Sequence, residues 1–165
     1  MISLKFLILV RLALLAWITG VSLVMAQGID KSTRVDIGFI GSISIPSNAT
    51  LSMEPINMPD FSVYTVRRGA VTVLRIYLGN WPDFPTGPQP KLFTIQNCEA
   101  RTVSYTADDL VSRDVLIEFR EAPGFPQTVH FFYRALTPEV AVQADSIIES
   151  LRLSNPEACP SGNSK

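Results

Sequence analysis

The segment FSVYTVRRGAVTVLRIYLG, residues 61–79, constrains the fold more than any other part of the chain. β-Branched and aromatic residues dominate it, the composition of paired strands. Arg68 and Gly69 mark a tight turn, where glycine admits positive φ, between strands over residues 61–67 and 70–78. In the second strand Thr72, Leu74, Ile76 and Leu78 share one face; Val71, Val73, Arg75 and Tyr77 share the other. Both faces are largely apolar, which predicts a central strand covered by a helix on one side and partly by loops on the other.

Other strands follow from the same reasoning. Residues 35–45 are rich in β-branched residues, with Gly38 and Gly41 marking a bulge or a close backbone approach. Residues 47–59, bordered and interrupted by prolines, read as an irregular connection that also carries the sequon Asn48, Ala49, Thr50. Shorter strands are expected over residues 91–96 and 101–106, a polar connection over 107–113, and a second hairpin from strands 115–120 and 128–135. The loop over residues 80–90 holds four prolines, which cannot donate to a ladder.

One helix is predicted over residues 138–153. Thr137 is its N-cap, Pro138 takes the first helical position, and Glu139 meets the positive end of the dipole. Val140, Ala144, Ile147, Ile148 and Leu151 form one apolar stripe, and Pro156 ends the pattern. The fold class expected is therefore α+β, an antiparallel sheet of about six strands with one long C-terminal helix packed on one face.

Residues 1–26 read as a secretory signal. Lys5 and Arg11 precede an uncharged run, and Val24 and Ala26 occupy the minus-three and minus-one places of a cleavage site after Ala26. The competing reading is an uncut anchor, but the clean apolar run of thirteen residues over 12–24 is signal length rather than spanning length. Cleavage leaves 139 residues, one domain in size: a flexible leader over 27–34, a folded domain over 35–159 and a disordered tail over 160–165. The signal takes two of fourteen basic residues and none of fifteen acids, so the mature charge is −3. That balance excludes a phosphate-backbone binder, which needs a basic surface. Cys98 and Cys159, the two cysteines, allow one intramolecular disulfide in an oxidising compartment, worth about 4 kcal/mol for a loop of this size. Two buried free thiols or an intermolecular link are the alternatives.

Catalytic signals are thin. His130 is the one histidine, on the strand face shared with Phe132 and Arg134, and Glu118 on the facing strand could orient it as an acid–base pair in a small hydrolase. No serine stands in a nucleophile elbow, Asp108 and Asp109 suit a turn or cap, and the other aspartates show no calcium-loop spacing. No cofactor or metal is implied. The loop at Trp81 and Phe84 places stiff apolar groups in a proline-bounded connection, as binding surfaces do. Its bland counterpart is a loop folded back onto the sheet.

The closing pattern FPQTVHFFYRALTPEVAVQADSIIESLRL resembles the end of domains with the PsbP-like fold, named for an extrinsic photosystem II subunit. The central YTVRRGAVTVLRIYLGNWPDFP is similar to stretches in small exported bacterial proteins. These segments cover about a third of the mature chain, and the resemblance transfers no binding residue. The functional expectation is an exported, periplasmic or extracellular, non-catalytic binding or assembly module for a protein or small molecule. Trp81, Phe84, Tyr77 and His130 are its candidate contact residues. A structural envelope component is the other non-enzymatic reading.

Overall fold

The computed structural model describes residues 31–55, 60–87, 89–119 and 126–159. The expected signal, its cleavage after Ala26, the first part of the leader and the tail over 160–165 lie outside the described residues.

Among the described residues the chain is mostly β, not the α+β arrangement of about six strands. Its strands in order are β1 (Ser32–Asp36), β2 (Gly41–Pro46), β3 (Thr50–Met53), β4 (Phe61–Arg68), β5 (Val71–Gly79) and β6 (Lys91–Ile95). There follow β7 (Cys98–Ala107), β8 (Leu110–Glu118), β9 (Thr128–Leu136), the helix α1 (Pro138–Glu149) and β10 (Arg152–Leu153). They form two antiparallel sheets, one of three strands in the order β1-β2-β10 and one of seven in the order β3-β4-β5-β9-β8-β7-β6.

The strands missing from the sequence-based expectation have identifiable causes. Residues 107–113 are not a connection, because Asp108 and Asp109 adopt φ of 50° and 60° and close β7 onto β8 in a two-residue hairpin. Two consecutive positive φ values are what such turns require, and aspartate is among the few residues that tolerate them. Gln96 and Asn97, at φ of 49° and 69°, do the same between β6 and β7. β3 lies inside the stretch read as irregular. Pro46 and Pro55 flank it rather than interrupt it, and Thr50–Met53 pairs with β4 as a sheet edge. Ser32, Thr33 and Arg34, placed in a flexible leader, pair with β2; the Arg34 guanidinium donates to the hydroxyls of Ser42 and Ser44 at 3.1 and 3.0 Å. A 3₁₀ turn at Gly38–Ile40 splits the single strand expected over 35–45 into β1 and β2.

The helix begins at Thr137 and Pro138 as expected but stops after twelve residues. Ser150 ends it. Its hydroxyl donates to the Ile147 carbonyl and accepts from the Ser44 amide, both at 2.7 Å. Arg152 and Leu153 then pair with Ser42 and Gly41 instead of continuing the helix. Gly41 permits this approach, since a Cβ there would fall on the Arg152 carbonyl. Ala144, Ile147, Ile148 and Leu151 of the apolar stripe are buried.

Helix and small sheet contribute to one core with one face of the large sheet. Ile43 and Ile45 of β2, Ile76 of β5, Ile117 of β8 and Phe131 of β9 join Ile147 and Ile148 of α1 in it. An irregularity between Val66 and Arg67 shifts the register of β4 against β5. As a result Val73 and Leu74 both enter the core, while Thr72 joins Arg75 along the helix-free face. Cys98, at the start of β7, is bonded to Cys159 across 61 positions, with the Cα atoms 5.0 Å apart. Among the described residues no helix is long and apolar enough to cross a membrane.

Candidate functional site

Strand alternation sends Asp114 and Leu116 of β8, with His130 and Phe132 of β9, to the face of the large sheet opposite α1. The register pairs Asp114 with Phe132 and Leu116 with His130, so Asp114 lies diagonally from His130. Asp114 is fully buried and collects three donors. His130 Nε2 meets Oδ1 at 2.8 Å, Arg134 Nη2 donates to the same oxygen at 2.8 Å, and the Tyr105 hydroxyl donates to Oδ2 at 2.9 Å. Burial pushes the Asp114 carboxyl up, but hydrogen bonds from His130, Arg134 and Tyr105 outweigh it and hold the pKa below the ordinary value. The Tyr105 phenol is pushed up, first by burial and then by its bond to Asp114.

This geometry corrects the acid–base pair expected from the sequence. The carboxylate partner of His130 is Asp114, not Glu118. Glu118 stands opposite Thr128 and is held by Arg101 at 3.0 Å, with both side chains substantially exposed. His130 is 3 % exposed, closed in by the Phe84 ring edge-on at 5.7 Å and by Phe132 at 5.0 Å. Asp108 and Asp109 are turn residues. Among the described residues no group of three or more histidine, cysteine or acidic side chains is placed to hold a metal.

The four residues expected to form a contact site are divided by the fold. Tyr77 is the cross-strand neighbour of His130 and stacks on Phe61 at 5.3 Å. Its ring lies over Gly79, where a Cβ would collide with it. Its hydroxyl accepts a hydrogen bond from the Trp81 amide at 3.2 Å. Phe84 turns back over His130 and carries the Arg101 guanidinium at 5.5 Å, and the Asn80 side chain accepts from the Gln127 amide at 3.0 Å. Trp81 alone points away, with 83 % of its surface exposed. The loop is thus folded back at Phe84 and presented outward at Trp81.

A second feature of the same face was not legible in the sequence. Glu54, Thr65, Arg67, Thr72, Arg75, Phe132, Tyr133 and Arg134 line a groove of about 460 Å³. Arg75 ion-pairs with Glu54, which also accepts from the Thr65 hydroxyl at 2.8 Å. These contacts, Arg75 foremost, hold the Glu54 carboxyl below its ordinary pKa. Arg75 and Arg134 lie 5.8 and 5.3 Å from the Phe132 ring centre. The Tyr133 phenol, bonded to Asp145 at 3.1 Å, is pushed up to about 12 by burial and by that carboxylate.

No protein-family model matches the chain, and no curated protein is similar to it. Among solved structures, a 1.50 Å crystal structure from Bacteroides thetaiotaomicron VPI-5482 is similar at a TM-score of 0.39 and 8 % identity. The match covers 69 % of this chain and 45 % of that one.

Proposed function

We propose that the protein is an exported, non-catalytic binding or assembly module that engages its partner through the loop over residues 80–90. The observation that carries this reading is a tryptophan 83 % exposed on a loop fixed to the sheet on both sides of it. Trp81 is tied to Tyr77 through its own amide, and Phe84 is seated on His130 three residues later. A large aromatic surface held in place loses little entropy when a partner covers it, which is how interface hot spots gain affinity. Export is supported by the signal-like segment over 1–26 and by a disulfide suited to an oxidising compartment. The likeness to PsbP-like domains adds no residue to this reading.

A photo-crosslinking amino acid at position 81, in the native host, tests it. The control is the same probe at Val142, which is 65 % exposed on α1. A discrete adduct from position 81 and none from position 142 is expected. Equal labelling from both, or none from position 81, would sink the proposal and leave a structural envelope role.

A further inference from the structure

The geometry points to the groove over Phe132 as a binding site for a small organic carboxylate with an apolar body, separate from the Trp81 loop. Three guanidiniums face one carboxylate in its lining, and the buried Asp114 paired with Arg134 offsets a second charge, which leaves the site at +1. Strand register sets them in two rows. Thr65, Arg75 and Phe132 are direct cross-strand partners on β4, β5 and β9. Arg67 and Thr72 are paired one step along the same strands, with Arg134 beyond Phe132. Adjacent strands lie about 4.8 Å apart. The side chains of Arg67 and Arg134 therefore start roughly 10 Å apart on either side of β5 and reach over one space.

The donors differ in how far they are committed. Arg75 gives Nε and Nη2 to Glu54. Arg134 is fixed by Asp114 and by the carbonyls of Arg113 and Tyr133 at 3.3 and 3.0 Å, so it is positioned before any ligand arrives. Arg67 is exposed and makes no hydrogen bond or ion pair among the described residues, and the Thr72 hydroxyl makes none either. Arg67 and Thr72 are the groups left to receive an anion, with Arg134 supplying fixed positive charge and Phe132 an apolar floor. Two features select a carboxylate. Planar guanidinium forks match a planar carboxylate, and Arg75 already turns Nε and Nη2 toward one oxygen of Glu54. The ionised Glu54 on the same rim disfavours a doubly charged phosphate. The groove volume falls in the range of small-ligand sites, about 300–1,000 Å³.

The test is a titration of the mature, disulfide-bonded protein with sodium benzoate at constant ionic strength, followed by backbone amide NMR. Acetate and inorganic phosphate run in parallel. Saturable shifts confined to Arg67, Thr72, Phe132 and Arg134 are expected, with benzoate at least tenfold tighter than acetate. Arg67→Glu and the milder Arg67→Gln should each weaken benzoate at least tenfold while the dispersed spectrum of the folded protein is kept, and Trp81→Ala should leave binding unchanged. Absence of saturation, benzoate binding indifferent to both Arg67 variants, loss of binding in Trp81→Ala, or phosphate binding tighter than benzoate would each overturn the assignment.

Discussion

Replacing Asp114 with alanine probes the polar network beneath the helix-free face most directly. The three donors around it differ in what they can do once the carboxylate is gone. Arg134 has a side chain 46 % exposed and Tyr105 is 41 % exposed, so water can take over their bonds. His130 is 3 % exposed and keeps a buried polar nitrogen with no acceptor in Asp114's place. A buried polar group left without a partner costs about 1–3 kcal/mol, and one hydrogen bond to a charged group is worth about 1.5–3 kcal/mol. We therefore expect Asp114→Ala to lose about 3 kcal/mol, with the unpartnered His130 nitrogen contributing most. Asp114→Asn should lose less, about 1–3 kcal/mol, because its carbonyl still accepts and its amide can donate to the Tyr105 oxygen. Urea unfolding of the disulfide-bonded mature protein, followed by far-ultraviolet circular dichroism, measures both. Glu118→Ala is the control, since its exposed ion pair with Arg101 is worth about 0–1 kcal/mol. A loss below about 1 kcal/mol for Asp114→Ala, the level of the control, would refute the reasoning.

Acid should destabilise the wild type through the same residue. Because the folded pKa of Asp114 is lowered, the unfolded chain takes up its proton first as pH falls; stability is full above the ordinary carboxylate range and is lost through and below it. Asp114→Asn should flatten that acid limb in unfolding curves collected between pH 6 and about pH 2, and an unchanged limb would assign it to other carboxylates. Reducing Cys98–Cys159, or replacing both residues with serine, should lower stability by about 4 kcal/mol, given 61 positions between them; calorimetry of the two forms reads it. Gly41→Ala should cost about 1–3 kcal/mol by forcing β10 off β2, visible as faster exchange of the Ser154 amide, which donates to the Ile40 carbonyl at 2.8 Å.

What the sequence discloses here is local. The hairpin of β4 and β5 was legible because β-branched runs flank a glycine turn, and the helix start because Pro138 has a fixed φ and Glu139 a matching charge; Thr137 takes the N-cap position, but its side chain makes no capping bond. The turn at Asp108 and Asp109 was missed because neither residue is a glycine, and with it went the last residue of β7 and the first five of β8. β10 could not be read at all, since two residues at the end of an apolar stripe become a strand only where Gly41 of a distant strand admits them. Asp114 looked like one scattered acid among several. Its partners sit at 105, 130 and 134, and only strand order brings them together. The one available clue was an acid directly preceding the apolar run Val115, Leu116, Ile117 in the same strand. The groove was equally hidden, because a shift in the β4–β5 register moves Thr72 to the side of Arg75, against simple alternation.

The segment after the helix makes long-distance attachments: β10 onto β2 of the small sheet, and the Leu153 amide onto the Gln96 side chain and Cys159 onto Cys98 of the large one. Every partner it uses precedes it in the chain, so a polypeptide growing from its N-terminus can assemble most hairpins yet cannot fasten the two sheets until residues 152–159 have emerged. Completion is thus a late step in biosynthesis, coupled to an oxidant. A chain stopped at residue 150 should be protease-sensitive where the longer chain resists, and equal resistance of the two would show that the closing segment is dispensable.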